Sequence, residues 1–370
     1  MTASTTRSPW PVAIVTALIA SAVVGLIMLA FTWPTVASEP KDIPVDVVAD
    51  QATFDTFTEQ VSTHTQEQGM DSPFAFNRVD SRDDAVTAIT HRDSDGVFVL
   101  PSGPGEQLEI LTAPAANTGI ATMITQTGTG IFKGQLGGML SSGQVTDPQA
   151  LGAVAQQALQ GPTVTPVVPL SADDPQGVGL TLSAIPLTIG GIVGGALISL
   201  RVRGIWRRLT AIGIYSIVTA TALYLIIHTW FGFLPLGGWA VWLTLALSVG
   251  STVSLIVGLT SLLGAAGIMV GALITLFIGN PISGAGVPLE FLPAPFDKVG
   301  EWFVPGATQT LIHDNGYFPD ANNTFAWIVL VCWAVLGLAL QIIGHYRNGR
   351  GLDSAQEGFT HANDELVASR

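Results

Sequence analysis

Charge is scarce in this chain. Only 11% of its 370 residues are Asp, Glu, Lys or Arg, against 48% hydrophobic residues, whereas soluble domains carry about a quarter charged residues. An ordinary soluble globule is excluded. Cysteine is nearly absent: the single Cys332 rules out an intrachain disulfide or a cysteine zinc site and reads as a small apolar residue in helix packing. Histidine is sparse too, and His64 and His91, the two between residues 34 and 176, lie in no cluster with metal-ligand spacing and read as surface residues. No metal site is expected. There is no Gly-x-Ser-x-Gly elbow, no His-Glu-x-x-His and no Gly-x-x-x-x-Gly-Lys, so serine hydrolysis, zinc proteolysis and Walker-type ATP hydrolysis are not expected here. The acid pairs Asp83-Asp84 and Asp173-Asp174 have no facing partner pair and read as capping and solvation.

What the chain has is long apolar runs. A bilayer core of about 30 Å needs roughly 20 apolar residues of helix, and six stretches approach that length: Pro11–Trp33, Gly177–Leu200, Leu209–His228, Trp239–Leu259, Leu262–Gly279 and Phe325–His345. None carries an acid or base in its interior, which disfavours ion-coupled carriers and charged-filter channels, since both depend on intramembrane ionisable groups. The join at Thr260-Ser261 bears no charge, so the fourth and fifth runs also read as one bent or re-entrant hairpin. Basic residues collect beside cytoplasmic ends of spans. Arg7, the group Arg201, Arg203, Arg207 and Arg208, and the pair Arg347 and Arg350 all fall on one side if the chain crosses six times, with both termini cytoplasmic and residues 34–176 outside. The first run is longer than the apolar core of a cleaved signal and reads as an uncleaved anchor.

The net charge of −13 is regional: residues 35–176 hold 18 acids and 5 bases, and the remainder holds nine of each. An acidic exterior segment argues against nucleic acid as a partner. Within it, Ile43-Pro-Val-Asp-Val-Val alternates like a half-buried strand, and Phe54, Phe57 and Val61 recur at helical spacing. Phe74–Val79 reads as a strand, and Ser81 with Asp84 as a capping box. After them come strands at Val97–Leu100 and Leu108–Leu111, a polar helical stretch from Ala116 to about Gln160, and a Pro-rich connector from Gly161 to Pro175. This alternation predicts a small α/β layer.

Glycines recur at four-residue spacing as Gly190/Gly194, Gly191/Gly195 and Gly267/Gly271, faces that let helix backbones approach, within one chain or between subunits. After the fifth run, the segment containing Asn280, Pro281, Gly284, Pro293 and Pro305 is apolar yet broken by Pro and Gly. It predicts a re-entrant element over residues 280–310.

Ile43-Pro-Val-Asp-Val-Val-Ala-Asp, Asp84-Ala-Val-Thr-Ala-Ile, Asp95-Gly-Val-Phe-Val-Leu-Pro, Asn280-Pro-Ile-Ser-Gly, Leu292-Pro and Val304-Pro-Gly together resemble the membrane subunits of type-2 ABC exporters, in the branch related to phage-infection-protein-like membrane proteins. The resemblance covers nearly the whole chain. It implies a plasma-membrane permease with no cofactor of its own, acting as a homo- or heterodimer in lipid, with ATP supplied through a separate ATPase that contacts Arg201, Arg203, Arg207 and Arg208. The tail before the first run is shorter than the amphipathic connecting helix of the wider fold.

The expected architecture is thus an α-helical integral membrane protein. A six-helix transmembrane bundle carries an extracytoplasmic α/β domain between its first and second helices: helix 11–33, exterior domain 34–176, five-helix bundle 177–345 and cytoplasmic tail 346–370. The expected function is non-enzymatic, an exporter permease for an apolar or amphipathic substrate, with a non-transporting scaffold that binds an envelope partner as the alternative.

Overall fold

The computed structural model describes residues 10–36, 38–67, 72–102, 106–141, 152, 156, 159–284 and 289–368. Helix α1 (Trp10–Val36) has 27 residues and no charged side chain, a length of about 40 Å at 1.5 Å per residue. It leads into β1 (Ile43–Val48), α2 (Gln51–Glu67), β2 (Phe74–Val79), α3 (Arg82–His91), β3 (Gly96–Val99), β4 (Glu109–Thr112), α4 (Thr118–Ser141) and β5 (Thr163–Pro166). Ser81 caps α3: its Oγ accepts from the Asp84 amide at 3.1 Å and donates to the Asp84 carboxylate at 2.7 Å, in place of the reciprocal bond to the Ser81 amide that a full capping box has.

These strands make one five-stranded sheet in the order β2-β1-β3-β4-β5, with β3 and β4 antiparallel and the other pairs parallel. The chain steps from β1 to β2, then back past β1 to β3. Right-handed crossovers in opposite directions put α2 and α3 on opposite faces. On one face, Ile43, Val45, Val47, Phe74, Phe98 and Ile110 pack against Phe57 and Val61 of α2 and Ile120 and Ile124 of α4. On the other, Val97 and Leu111 pack with Ala85 and Ile89 of α3, in a core continuous with the long helices that follow.

One reading of the sequence changes here. The Pro-rich stretch from Gly161 is no mere connector, because Thr163–Pro166 forms the edge strand β5. An edge tolerates Pro166, which has no N–H to give to a further strand. Glu109 takes two hydrogen bonds from Arg82 (2.9 and 2.8 Å) and one from Thr165 of β5 at 2.9 Å; the hydrogen bond to Arg82 holds its carboxyl below the usual range. The polar helix is described as far as Ser141, and most of the predicted remainder up to Gln160 lies outside the described residues.

The second half is helical: α5 (Val178–Arg201), α6 (Ile205–Tyr224) continued by a π-helical turn (Leu225–Trp230), α7 (Trp239–Leu263), α8 (Ala266–Ala272) continued by π-helix (Leu273–Gly279), α9 (Phe296–Val299), α10 (Val304–Tyr317) and α11 (Thr324–Ala368). Among the described residues, four helical stretches are long and apolar enough to cross a membrane, Ser183–Arg201, Ile205–Trp230, Trp239–Leu263 and Thr324–Arg347. The predicted fifth run becomes the shorter apolar helix Ala266–Gly279, 14 residues or about 21 Å long. Leu262 and Leu263 continue α7, and Gly264, at φ +65°, turns the chain where a side chain would be strained. Helix α11 passes residue 345 unbroken and continues to Ala368.

Candidate functional site

Helix α7 is the hub. Fourteen of its residues are buried, and α5, α6, α8, α10 and α11 all pack on it. Glycines set these contacts. A Cβ at Gly191 would lie 2.7 Å from Thr252 Cγ2, at Gly195 2.8 Å from Ile256 Cβ, and at Gly271 2.7 Å from Ile256 Cγ1, all closer than real side chains approach. Gly267 abuts the Leu259–Thr260 backbone, Gly194 faces the Tyr215 ring, and Gly258 meets Gly337 across the α7–α11 contact. Five of the six glycines singled out in the sequence are therefore occupied within the chain. Gly190 alone among them has open space around it, with its carbonyl accepting from Tyr215 Oη at 2.7 Å.

The basic residues gather at one end of this bundle. Arg208 donates to the Val202 carbonyl and to Ser261 Oγ, both at 2.9 Å, pinning the α5–α6 loop to the last turn of α7. Arg347 donates to the Leu262 carbonyl and brings α11 to the same end. Arg201, Arg203 and Arg207 are exposed. The four arginines thus divide into one that holds the loop and three that face outward.

Between α8 and α11 the chain folds back on itself. Phe291 packs against the sheet's α2–α4 core and its carbonyl accepts from the Glu39 amide at 3.0 Å, while Phe296 meets Trp33 of α1 edge-on at 5.3 Å. The chain then descends so that α10 starts midway along α7. Pro305 sits in the first turn of α10, where a missing N–H costs nothing, and the Thr308 and Ser248 hydroxyls share a hydrogen bond of 2.7 Å. Gly300 and Gly306 make the crossing: a Cβ on either would overlap a backbone carbonyl, of Ile282 and of Gly300 respectively. Around this point Ala184, Leu187, Val304 and Pro305, with Thr188, Ser248, Thr252, Thr308 and Gln309, line a narrow, mainly apolar cavity without a charged residue. Of the residues marked for a re-entrant element, Asn280 is buried with its Nδ2 unpartnered among the described residues, Gly284 takes φ +77°, and Pro293 lies in the returning segment.

The far end of α10 joins the sheet domain. Asp314, buried, accepts from Arg92 Nη1 at 2.7 Å, and the same guanidinium lies 5.6 Å from the Phe318 ring centroid. Burial raises the Asp314 carboxyl above its ordinary value, and the Arg92 charge opposes that rise. His313 must donate its Nδ1–H to the Ala115 carbonyl at 3.0 Å, because a carbonyl only accepts. Burial, with the Arg92 charge adding to it, pushes the His313 imidazole down to about 4, so it stays neutral. Tyr317 Oη donates to the Phe233 carbonyl at 2.5 Å. A cavity of about 60 Å³, lined by Arg92, Asp95, Asn117, Ser283, Gln309 and His313 among others, follows this seam.

Sequence reading does not reveal the seam, because its partners stand 222 residues apart. The signal available was Asp314 itself, the one acid in the 14-residue helix α10. Among the described residues there is no cluster of His, Cys, Asp and Glu able to hold a metal ion.

Against known families, residues 11–340 match the model of the ABC-2 family transporter proteins. No curated protein matches the chain, and no solved structure does.

Proposed function

The chain belongs to the ABC-2 family transporter proteins, a family of membrane permeases, and on that premise we propose that it is the permease subunit of an exporter driven by a separate ATPase. The observation that carries this reading is the division of the bundle into two ends. One end presents Arg201, Arg203 and Arg207 on a loop that Arg208 fixes to α7; the other bears the acidic sheet domain, attached through α10. Positive-inside bias places the arginine end in the cytoplasm, with both termini, and the sheet domain outside. On this reading α1, α5, α6, α7, the shorter α8 and α11 supply six crossings, α9 and α10 form a re-entrant hairpin from the outer side, and the exterior domain is an insertion between the first two spans, as in the phage-infection-protein-like branch.

An ATPase docked on the outward arginines moves the α5–α6 loop, and Arg208 passes that movement to the hub helix. The cavity in the bundle interior is mainly apolar, with a few hydroxyl and amide groups and no charged residue in its lining, which suits an apolar or amphipathic substrate. Two copies pair through the apolar faces left exposed on α5, where Ile185, Ile189, Val193 and Leu197 point outward. Their lateral contact leaves Gly190 free to approach a neighbour.

Co-purification from native membranes in mild detergent tests the reading. An ATPase in near-equal amount is expected with the wild type and is lost from Arg203→Glu/Arg207→Glu. Absence of any ATPase from the wild-type preparation would instead support a scaffold whose exterior domain binds an envelope partner.

A further inference from the structure

The sheet domain has a second opening that the transport reading does not use. In open α/β sheets, ligands bind beyond the carboxyl ends of parallel strands, where neighbouring strands send their connections in opposite directions. That condition is met once here. From β1 the chain leaves toward β2, and from β3 it leaves toward β4, while β1 and β3 lie side by side and parallel. A cleft of about 320 Å³ lies at this point, between α2 and α4 and beside Leu100 and Pro101, which follow β3. Its size falls at the lower end of the range of about 300–1,000 Å³ typical of small-molecule sites. The amino ends of the same strands bear the seam, where Asp95 and Ile120 line the other cavity, so the cleft opens on the edge of the sheet turned away from the helices.

Its lining specifies a chemistry. Phe57 and Leu100 form an apolar floor, and Thr53, Thr56, Gln60 and Gln135 supply the polar groups, with no charged residue among them. The Thr53 hydroxyl is spent on Asp50 at 2.8 Å and that of Thr56 on the Ala52 carbonyl at 2.9 Å, leaving both threonines as acceptors. Gln60 and Gln135 are exposed and hold no hydrogen bond to the protein among the described residues. Each amide offers two donors and an acceptor side by side, the pattern that matches vicinal hydroxyls. Asp50, just before α2, and Asp55 and Glu59 within it repel anions.

We infer that this cleft is a binding site for a neutral, hydroxyl-rich ligand of the saccharide class, held by Gln60 and Gln135 over an apolar floor. The site does not depend on the transport reading and can fail or stand separately from it.

The test titrates cellobiose, chitobiose and glucuronate into the full chain in lipid nanodiscs and reads saturation-transfer NMR. A saturable signal from at least one neutral disaccharide, with Kd near or below about 1 mM, is expected, together with none from glucuronate. Gln60→Ala/Gln135→Ala, both surface changes, weakens it about tenfold or more with the melting temperature unchanged. Three results overturn the inference: no saturable signal from either disaccharide, binding indifferent to the double substitution, or glucuronate binding as well as the neutral sugars.

Discussion

Arg92 and Asp314 carry the attachment of the sheet domain to the helices, and their chemistry is unequal. Asp314 is buried, while about a third of the Arg92 side chain is exposed (31%). Arg92→Ala leaves a buried carboxylate without its donor and is expected to destabilise the chain by about 2 kcal/mol, read as a lowered melting temperature. Arg92→Ala/Asp314→Asn recovers part of that loss, because the stranded charge is gone. His313 makes the same seam acid-sensitive. Its folded-state value near 4 lies below the ordinary 6.5, so its contribution is complete above pH 6.5 and drains away as pH falls toward 4. Asp314, shifted upward by burial, acts in the opposite sense, losing stability as pH rises through its raised value. His313→Gln therefore isolates the imidazole: melting temperatures measured from pH 7 to pH 4 should fall less steeply in the variant. None of this was legible from composition, since a lone acid and a lone histidine in an apolar helix gain meaning only when the sheet domain lies against them.

At the level of elements, local pattern found most pieces and missed those that depend on neighbours. The alternation in Ile43–Val48, the Ser81 cap and the apolar spacing of Phe57 and Val61 mark elements that the structure contains. β5 escaped because a four-residue strand containing proline becomes a strand only by lying beside β4. The boundary between α7 and α8 was placed too early, at Thr260-Ser261, because the apolar run continues through the turn, and the helix ends only at the positive φ of Gly264. Glycine spacing announced close packing but not its partners, which are set by α7. Substitutions separate the tight positions from the open one. Gly271→Leu forces atoms into Ile256 and is expected to cost about 1–3 kcal/mol, seen as lowered yield of monodisperse protein and a lowered melting temperature. Gly190→Ala meets nothing within 4 Å and gains up to about 1 kcal/mol from helix propensity, so its melting temperature should stay level or rise.

Across the whole molecule, an acid-rich sheet domain and an arginine-bearing loop stand at opposite ends of a bundle whose core is largely aliphatic, with a cavity that no charged residue lines. The α10 helix joins the sheet domain to the middle of the bundle, with one end beside Ser248 and Thr252 of α7 and the other clasped by Arg92. On the proposed reading, this arrangement suits a machine powered from one side whose sheet domain follows the movement of the hub. The decisive measurement is ATP hydrolysis by the proposed permease–ATPase assembly in lipid, comparing the wild type with Arg201→Glu/Arg203→Glu/Arg207→Glu. These three side chains face outward, so the variant should fold and melt as the wild type does, yet the associated hydrolysis should fall about tenfold or more, corresponding to at least 1.4 kcal/mol of lost coupling. A complex whose hydrolysis is unchanged by reversing all three charges would contradict the account.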